Sequence, residues 1–336
     1  MKRLNPQHLL AITLLLLPLS LVIALTLGPE IINPITLLTG DAGQPANQLI
    51  LEKIRLPRAL MAAIIGATLA VAGVMMQGLF RNPLADPSLI GVTSGASAGA
   101  SLMIVLGAGS AIGGVSFIAL GAFAGAVIAT TIVYKLASSS SGTSVATMLL
   151  AGIAISALAG AFNSFFQYIA DNHMLRQISL WQMGSLNGSN WQRLAMAYGV
   201  LGLLLCWLPR YSRALNAMLL GESEARHLGI YVDRVKRQII ILVALAVGVA
   251  VALSGTIAFV GLITPHIIRL LIGPDHRYLI PGSALAGAIL LVLADAVSRI
   301  AIAPSELPIG VVTAILGAPF FLSLLRQQRN TSLIAR

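Results

Sequence analysis

Apolar runs alternate with short polar breaks along the whole chain, and ten of them fall at residues 9–27, 59–80, 90–106, 111–136, 145–170, 194–208, 239–255, 256–272, 279–302 and 307–325. A helix that crosses the roughly 30 Å hydrocarbon core of a bilayer needs about 20 predominantly apolar residues, so each run is read as a membrane span. Residues 239–272 form one apolar stretch punctuated only by Ser254-Gly255-Thr256 and Pro265. That stretch is too long for one crossing and is read as two. The alternating ten-residue segments of an outer-membrane barrel are missing, so the predicted class is all-α and polytopic. Ten spans of about 20 residues leave roughly 136 residues for loops and tails, too few for a folded extramembrane domain. The chain is therefore taken as one transmembrane domain, residues 1–336, whose longest polar stretch is 210–237. The first run follows Lys2 and Arg3 as a signal peptide would, but it is long and lacks an Ala-x-Ala-like site, so it is read as an uncleaved span.

Composition agrees: of 336 residues 57% are hydrophobic and 10% charged, with a mean hydropathy of +0.90. A net charge of +10 in a soluble chain would point to nucleic acid, but here the basic residues are scattered between apolar runs and make no DNA-reading face. The surrounding partner is membrane lipid. Basic residues also orient the chain, because cytoplasmic loops carry an excess of Lys and Arg. With the amino terminus inside, Lys2, Arg3, Arg81, Lys135, Arg210, Arg213, Arg226, Arg234, Lys236, Arg237, Arg269, Arg277, Arg326, Arg329 and Arg336 are cytoplasmic. Lys53, Arg55, Arg58, Arg176, Arg193 and Arg299 are outside. Both termini are then expected in the cytoplasm, with the polar stretch 210–237 as the main cytoplasmic structure.

Candidate chemistry is sparse. Gly95-Ala-Ser-Ala-Gly99 has the G-x-S-x-G spacing, but no histidine accompanies Ser97 in a triad-like arrangement. Small-residue helix packing, with Gly121 and Gly125 as counterparts, explains it better. A secondary transporter, the alternative of another class, would need buried ion-coupling carboxylates, and Asp295 is the only acid inside a span. The single Cys206 excludes a disulfide framework or a multi-cysteine metal site, and no G-x-x-x-x-G-K-[ST] phosphate loop is present. If ATP drives this protein, another subunit binds it. The chain by itself is not read as an enzyme.

Punctuation at the membrane faces is more specific. Arg55-Leu-Pro-Arg58 opens the second run, Arg81-Asn-Pro-Leu-Ala-Asp-Pro87 follows it, and Pro265-His266 with Arg269 closes the eighth. Leu293-Ala-Asp295 precedes Arg299, while Glu306-Leu-Pro-x-Gly310 and Gly317-Ala-Pro-Phe320 mark the tenth. Over almost the whole chain these motifs resemble the FecCD family of ABC importer permeases, which carry ferric siderophores, haem and cobalamin across the bacterial inner membrane. The resemblance implies a type II importer fold of about ten transmembrane helices. It further implies two permease copies around a central pathway, two ABC ATPase subunits that bind ATP and magnesium, and a periplasmic substrate-binding protein; no cofactor is held permanently by the permease.

The resemblance also assigns residues. Arg55, Arg58 and Arg299 are expected to receive carboxylates of the binding protein, and Arg55 and Arg58, three apart with Pro57 between them, are expected to face one side of the outer surface. Within 210–237, glycine stops at Gly221 and Gly229 bound two short helices read as the ATPase-coupling segment. Its contact residues are expected to be Leu215, Met218, Leu219, Gly221, Glu224, Ala225, Arg226, Leu228 and Gly229. The segment around Trp181-Gln-Met183 and the stretches 273–277 and 304–310 resemble the haem-transporting branch, making haem the expected substrate and a ferric siderophore or cobalamin the alternative. His173, Arg176, Trp181 and Met183 are the expected pathway residues at the outer mouth.

Overall fold

The computed structural model describes residues 4–33, 45–107, 111–112, 115–139 and 142–334; Lys2, Arg3 and Arg336, assigned above to the cytoplasm, lie outside them. The helices run α1 (Pro6–Thr26), α2 (Leu56–Phe80), α3 (Val92–Val105), α4 (Phe117–Ala137), α5 (Val145–Ile169), α6 (Asn172–Gln182) and α7 (Trp191–Trp207). They continue as α8 (Ser212–Met218), α9 (Glu222–His227), α10 (Val232–Ser254), α11 (Val260–Ile272), α12 (His276–Ile300) and α13 (Ile309–Ile334). A short helix, Pro45–Leu49, and a π-helical stretch, Ile50–Arg55, lead into α2. Two antiparallel hairpins of two-residue strands flank α4: β1 (Ala111–Ile112) with β2 (Val115–Ser116), and β3 (Ser138–Ser139) with β4 (Gly142–Thr143).

Each of the ten apolar runs is a helix. The fourth starts later than the hydropathy indicates, at Phe117, because its first residues make the hairpin and Ser116 caps the helix by accepting from Ala119 N. The polar stretch 210–237 contains the two short helices expected there, α8 and α9, and α10 begins at Val232, drawing Asp233, Arg234, Lys236 and Arg237 into its first two turns.

Buried at the centre is α2, nearly every residue of which is shielded by neighbours. Lipid is as apolar as leucine, so close backbone approach rather than hydrophobic exclusion holds such helices together. A Cβ at Gly66 would sit 2.2 Å from the carbonyl oxygen of Gly287 on α12, and one at Gly73 would sit 1.7 Å from that of Gly261 on α11. The predicted packing of Gly95 and Gly99 is of the same kind, since side chains there would strike the carbonyls of Gly125 and Gly121 at 2.4 and 2.0 Å. Leucines and phenylalanines exposed along α1 and α5 are the lipid- or partner-facing remainder.

Among the described residues, seven helical stretches are long and apolar enough to cross a membrane, whereas α3, α11 and Ile309–Ser323 of α13 are apolar but shorter. The 13 residues of α11 cover about 20 Å of a core about 30 Å thick. Wherever the break between α10 and α11 at residues 255–259 meets the hydrocarbon, its backbone groups must be satisfied by protein. Two other breaks meet it. Ser185 N donates to Ser254 O at 2.7 Å, the Thr256 hydroxyl donates to Gln182 O, Ile309 N donates to Gly184 O at 3.2 Å, and Gly310 N to Met183 O at 3.0 Å. Gly255, at φ 67°, turns the chain in the left-handed region with no Cβ to strike the Trp181 carbonyl at 2.3 Å.

Candidate functional site

A recess of about 530 Å³ opens between α3, α5 and the end of α6, lined by Thr93, Ser94, Ser97, Ser156, Asn163 and Gln182 together with Ser88 and Thr256. Its walls are tied by side chains: the hydroxyls of Ser94 and Ser156 are 2.9 Å apart, Asn163 Nδ2 donates to Ser97 Oγ at 3.1 Å, and Ser101 Oγ donates to Asn163 Oδ1 at 2.7 Å. A second recess of about 390 Å³ shares Ser88, Thr93 and Thr256 and extends past Asp86 to Phe259 and Leu262. The first recess holds no charged side chain. Such a surface offers neutral donors and acceptors to a passing solute without the desolvation cost of a charge. These residues were legible only in part. Ser94, Ser97 and Ser101 recur at helical spacing on a face separate from that of Gly95 and Gly99, and Ser156 and Asn163 stand seven apart on α5. The two-way choice of nucleophile or packing for the Gly95–Gly99 motif passed over this polar stripe.

Asp171 caps α6 through Met174 N. His173 and Arg176, one turn apart on α6, are both exposed. Neither lines the two recesses, nor do Trp181 and Met183. Trp181 is half-buried under Gly255, and Met183 spends its carbonyl on Gly310. Gln182 is the residue of this segment that reaches the polar wall.

The three outer arginines depart from the expected exposed, co-facing arrangement. Arg55, Arg58 and Arg299 are 5%, 7% and 4% exposed. Arg55 donates to the carbonyls of Leu25, Thr26 and Glu30, and Arg299 donates to Ala24 O at 2.7 Å, so the two guanidiniums satisfy the orphan carbonyls at the end of α1. Arg58 turns the other way. Its Nε lies 2.9 Å from Asp295 Oδ1, and its Nη1 contacts Asn187 Oδ1 at 2.7 Å and Glu306 at 3.0 Å. Asp295, fully buried, also faces Arg299 Nε at 3.2 Å, an ion pair without hydrogen-bond geometry at Oδ2. Charges this buried persist only when paired, which is why the arginines turn inward. What reaches solvent is the rim: Glu306, with its side chain 30% exposed, beside a recess of about 100 Å³ lined also by Asn187 and Ser185.

Helices α8 and α9 are bounded by Gly221 (φ 122°) and Gly229 (φ 81°), as the sequence indicates. The expected contact face is divided, however. Leu215, Met218 and Ala225 are fully buried in the chain's own core, Leu215 lying against Gly78 of α2, and so are not available to a partner. Leu219, Leu220, Leu228 and Tyr231 are 42%, 68%, 63% and 80% exposed and form the outward apolar surface. Glu224 and Arg226 are exposed beside it, and Arg226 pairs loosely with Asp233 at 3.3 Å. A helix of seven residues gives no periodicity long enough to tell which side meets the chain itself, so Leu220 and Tyr231 were missed. Asn216 anchors α8 to α12, donating to Asp275 Oδ1 at 2.6 Å and accepting from His276 N at 2.9 Å. Burial works to raise the Asp275 carboxyl, but the backbone N–H of Arg277 and the Asn216 amide favour the charged form and hold it below the usual range. Among the described residues no three His, Cys, Asp or Glu side chains gather as a metal site would need.

The FecCD transport family model matches residues 14–327. The hemin transport system permease of Yersinia pestis is 42% identical over 98% of each chain. The vitamin B12 import system permease of Salmonella typhi is 42% identical over 96% of each chain. A solved inward-facing structure of a metal-chelate type ABC transporter superposes with a TM-score of 0.84 at 34% identity, covering 96% of this chain and 99% of that one.

Proposed function

Because the chain belongs to the FecCD transport family and is an ABC importer permease, we propose that it carries haem from the periplasm to the cytoplasm across a bacterial inner membrane. The observation that carries this reading is the pair His173 and Arg176, exposed one turn apart on α6, the helix whose last residue, Gln182, lines the polar recess. An imidazole can meet iron and a guanidinium can meet a propionate in passing. The hemin permease of Yersinia pestis resembles this chain along nearly all of both lengths. A second reading, cobalamin, is favoured by the uncharged recess, whose hydroxyls and amides suit carboxamide side chains better than carboxylates.

In this reading two ABC ATPase subunits bind ATP and magnesium and dock on Leu219, Leu220, Leu228 and Tyr231, where an apolar ridge can enter a groove. A second copy of the permease completes the pathway. A periplasmic binding protein docks at the rim over Arg58, its carboxylate taking the place of Glu306 on Nη1. The distribution of basic residues supports cytoplasmic termini. Ion-coupled transport is disfavoured because Asp295 is spent on Arg58 and Arg299. Closure of the ATPase pair then rocks the helices to open the recess inward.

The test is uptake by proteoliposomes holding the complete transporter. Haem is expected to enter with ATP, and Arg176→Ala is expected to slow entry while leaving affinity for the binding protein unchanged. Entry of cobalamin but not haem would replace the first reading with the second.

A further inference from the structure

Lys236 stands one turn into α10 at the inner end of the molecule, yet it is only 3% exposed. A lysine is almost never this buried unless it is paired. Its ammonium lies 2.6 Å from Oε1 of Glu222, the first residue of α9, and it donates to the carbonyl oxygen of Thr143 at 3.2 Å. Thr143 ends β4, and the next residue, Ser144, is the N-cap of α5, its hydroxyl accepting from Thr147 N. The hairpin also presses on α10 at a second point, where a side chain at Gly142 would meet Asp233 Oδ1 at 2.6 Å. Helix α5 in turn carries Ser156, Gly160 and Asn163 into the polar recess. One buried cation thus joins the ATPase-facing helix, the start of α10 and the inner end of a wall helix.

We propose that Lys236 is a positioning residue for transport: it pins α9 to the α4–α5 hairpin, so that displacement of α9 is delivered to α5. The proposal rests on the reading of α8 and α9 as the ATPase-facing segment. An element that conveys motion must be stiff. The neighbouring pair Arg226–Asp233 cannot serve, because both side chains are about half exposed and such pairs are screened and weak. The Lys236 pair is shielded on the lysine side, with 4% of that side chain exposed, and removing its partner would strand a buried charge.

The experiment uses the complete transporter in proteoliposomes, with two readouts: cargo taken up per ATP hydrolysed, and the distance between spin labels at Ser223 and Thr147, both exposed. In the wild type that distance is expected to stay the same with and without ATP. In Lys236→Met it is expected to change with ATP, and uptake per ATP to fall about tenfold while hydrolysis continues, within the usual range of coupling between sites. Lys236→Arg, which keeps the charge, retains coupling. Should Lys236→Met not assemble, Glu222→Gln gives the same loosening in smaller measure, since it leaves the Thr143 bond intact. The proposal is overturned if the wild-type distance already changes with ATP, if uptake per ATP is unchanged in Lys236→Met and Glu222→Gln, or if Lys236→Arg loses as much as Lys236→Met. Failure of the underlying reading shows separately, as ATPase subunits that stay bound when Leu220 and Leu228 are truncated.

Discussion

Leu220 and Leu228 are 68% and 63% exposed, so truncating them to alanine disturbs little inside the permease. Fully burying a leucine side chain is worth about 1.5–3 kcal/mol, of which roughly two thirds remains to be gained when a partner covers these two, or about 1–2 kcal/mol each. The double variant Leu220→Ala, Leu228→Ala is therefore expected to weaken the ATPase contact by about 2–4 kcal/mol, roughly 30-fold to several-hundred-fold in affinity. Titration of purified ATPase subunit onto detergent-solubilised permease measures that constant, and the thermal midpoint of the permease alone reports its folding. The contrast is with Leu215→Ala and Met218→Ala, two fully buried residues. These are expected to lower the thermal midpoint, at a cost of about 2–5 kcal/mol for a core truncation. If the double variant binds the ATPase within about twofold of wild type, less than 0.5 kcal/mol, the outward ridge is not the contact. If Leu215→Ala weakens binding at unchanged stability, the division of the segment into inner and outer faces is wrong.

Two other predictions concern the membrane part. Asp295→Asn removes the anion shared by Arg58 and Arg299, all three buried, and is expected to destabilise the purified permease by about 3–5 kcal/mol, read as a lower unfolding midpoint in detergent; an unchanged midpoint would show that the arginines hold their places without it. Gly73→Leu forces a Cβ to within 1.7 Å of a backbone carbonyl that cannot swing aside, so loss of folded protein on size-exclusion chromatography is expected, whereas Gly160→Ala, with nothing within 4 Å, is expected to elute as wild type.

Hydropathy located every long helix because burial in lipid leaves its mark residue by residue. The arginines show where such reading stops. Arg55-Leu-Pro-Arg58 marks a helix start, but spacing along one helix does not reveal that Leu25 and Thr26 carbonyls wait on one side and Asp295 and Glu306 on the other. Those acceptors are 29 to 248 residues away in sequence. The same holds for the polar recess, since Ser94 and Ser156 are unremarkable alone and become a wall only when α3 and α5 are side by side. Lys236 was counted as one more cytoplasmic positive charge; its partners, Glu222 and Thr143, belong to segments whose placement no local pattern encodes.

The mutual stitching of residues 183–185, 254–256 and 309–310 has a bearing on biogenesis. Ribosomes deliver the chain amino end first, so Met183 and Gly184 enter the bilayer long before their donors, the amides of Gly310 and Ile309, have been synthesised. Until the last helix arrives, these two carbonyls lack those partners, each at a cost of several kcal/mol if it lies in hydrocarbon. Retention of α6 near the aqueous interface, or in the shelter of the insertion machinery, relieves that cost during synthesis. Arrival of α13 then serves as the closing event of insertion, and a nascent chain arrested before Ile309 would be expected to remain open to proteases at the stretch from Gln182 to Ser185.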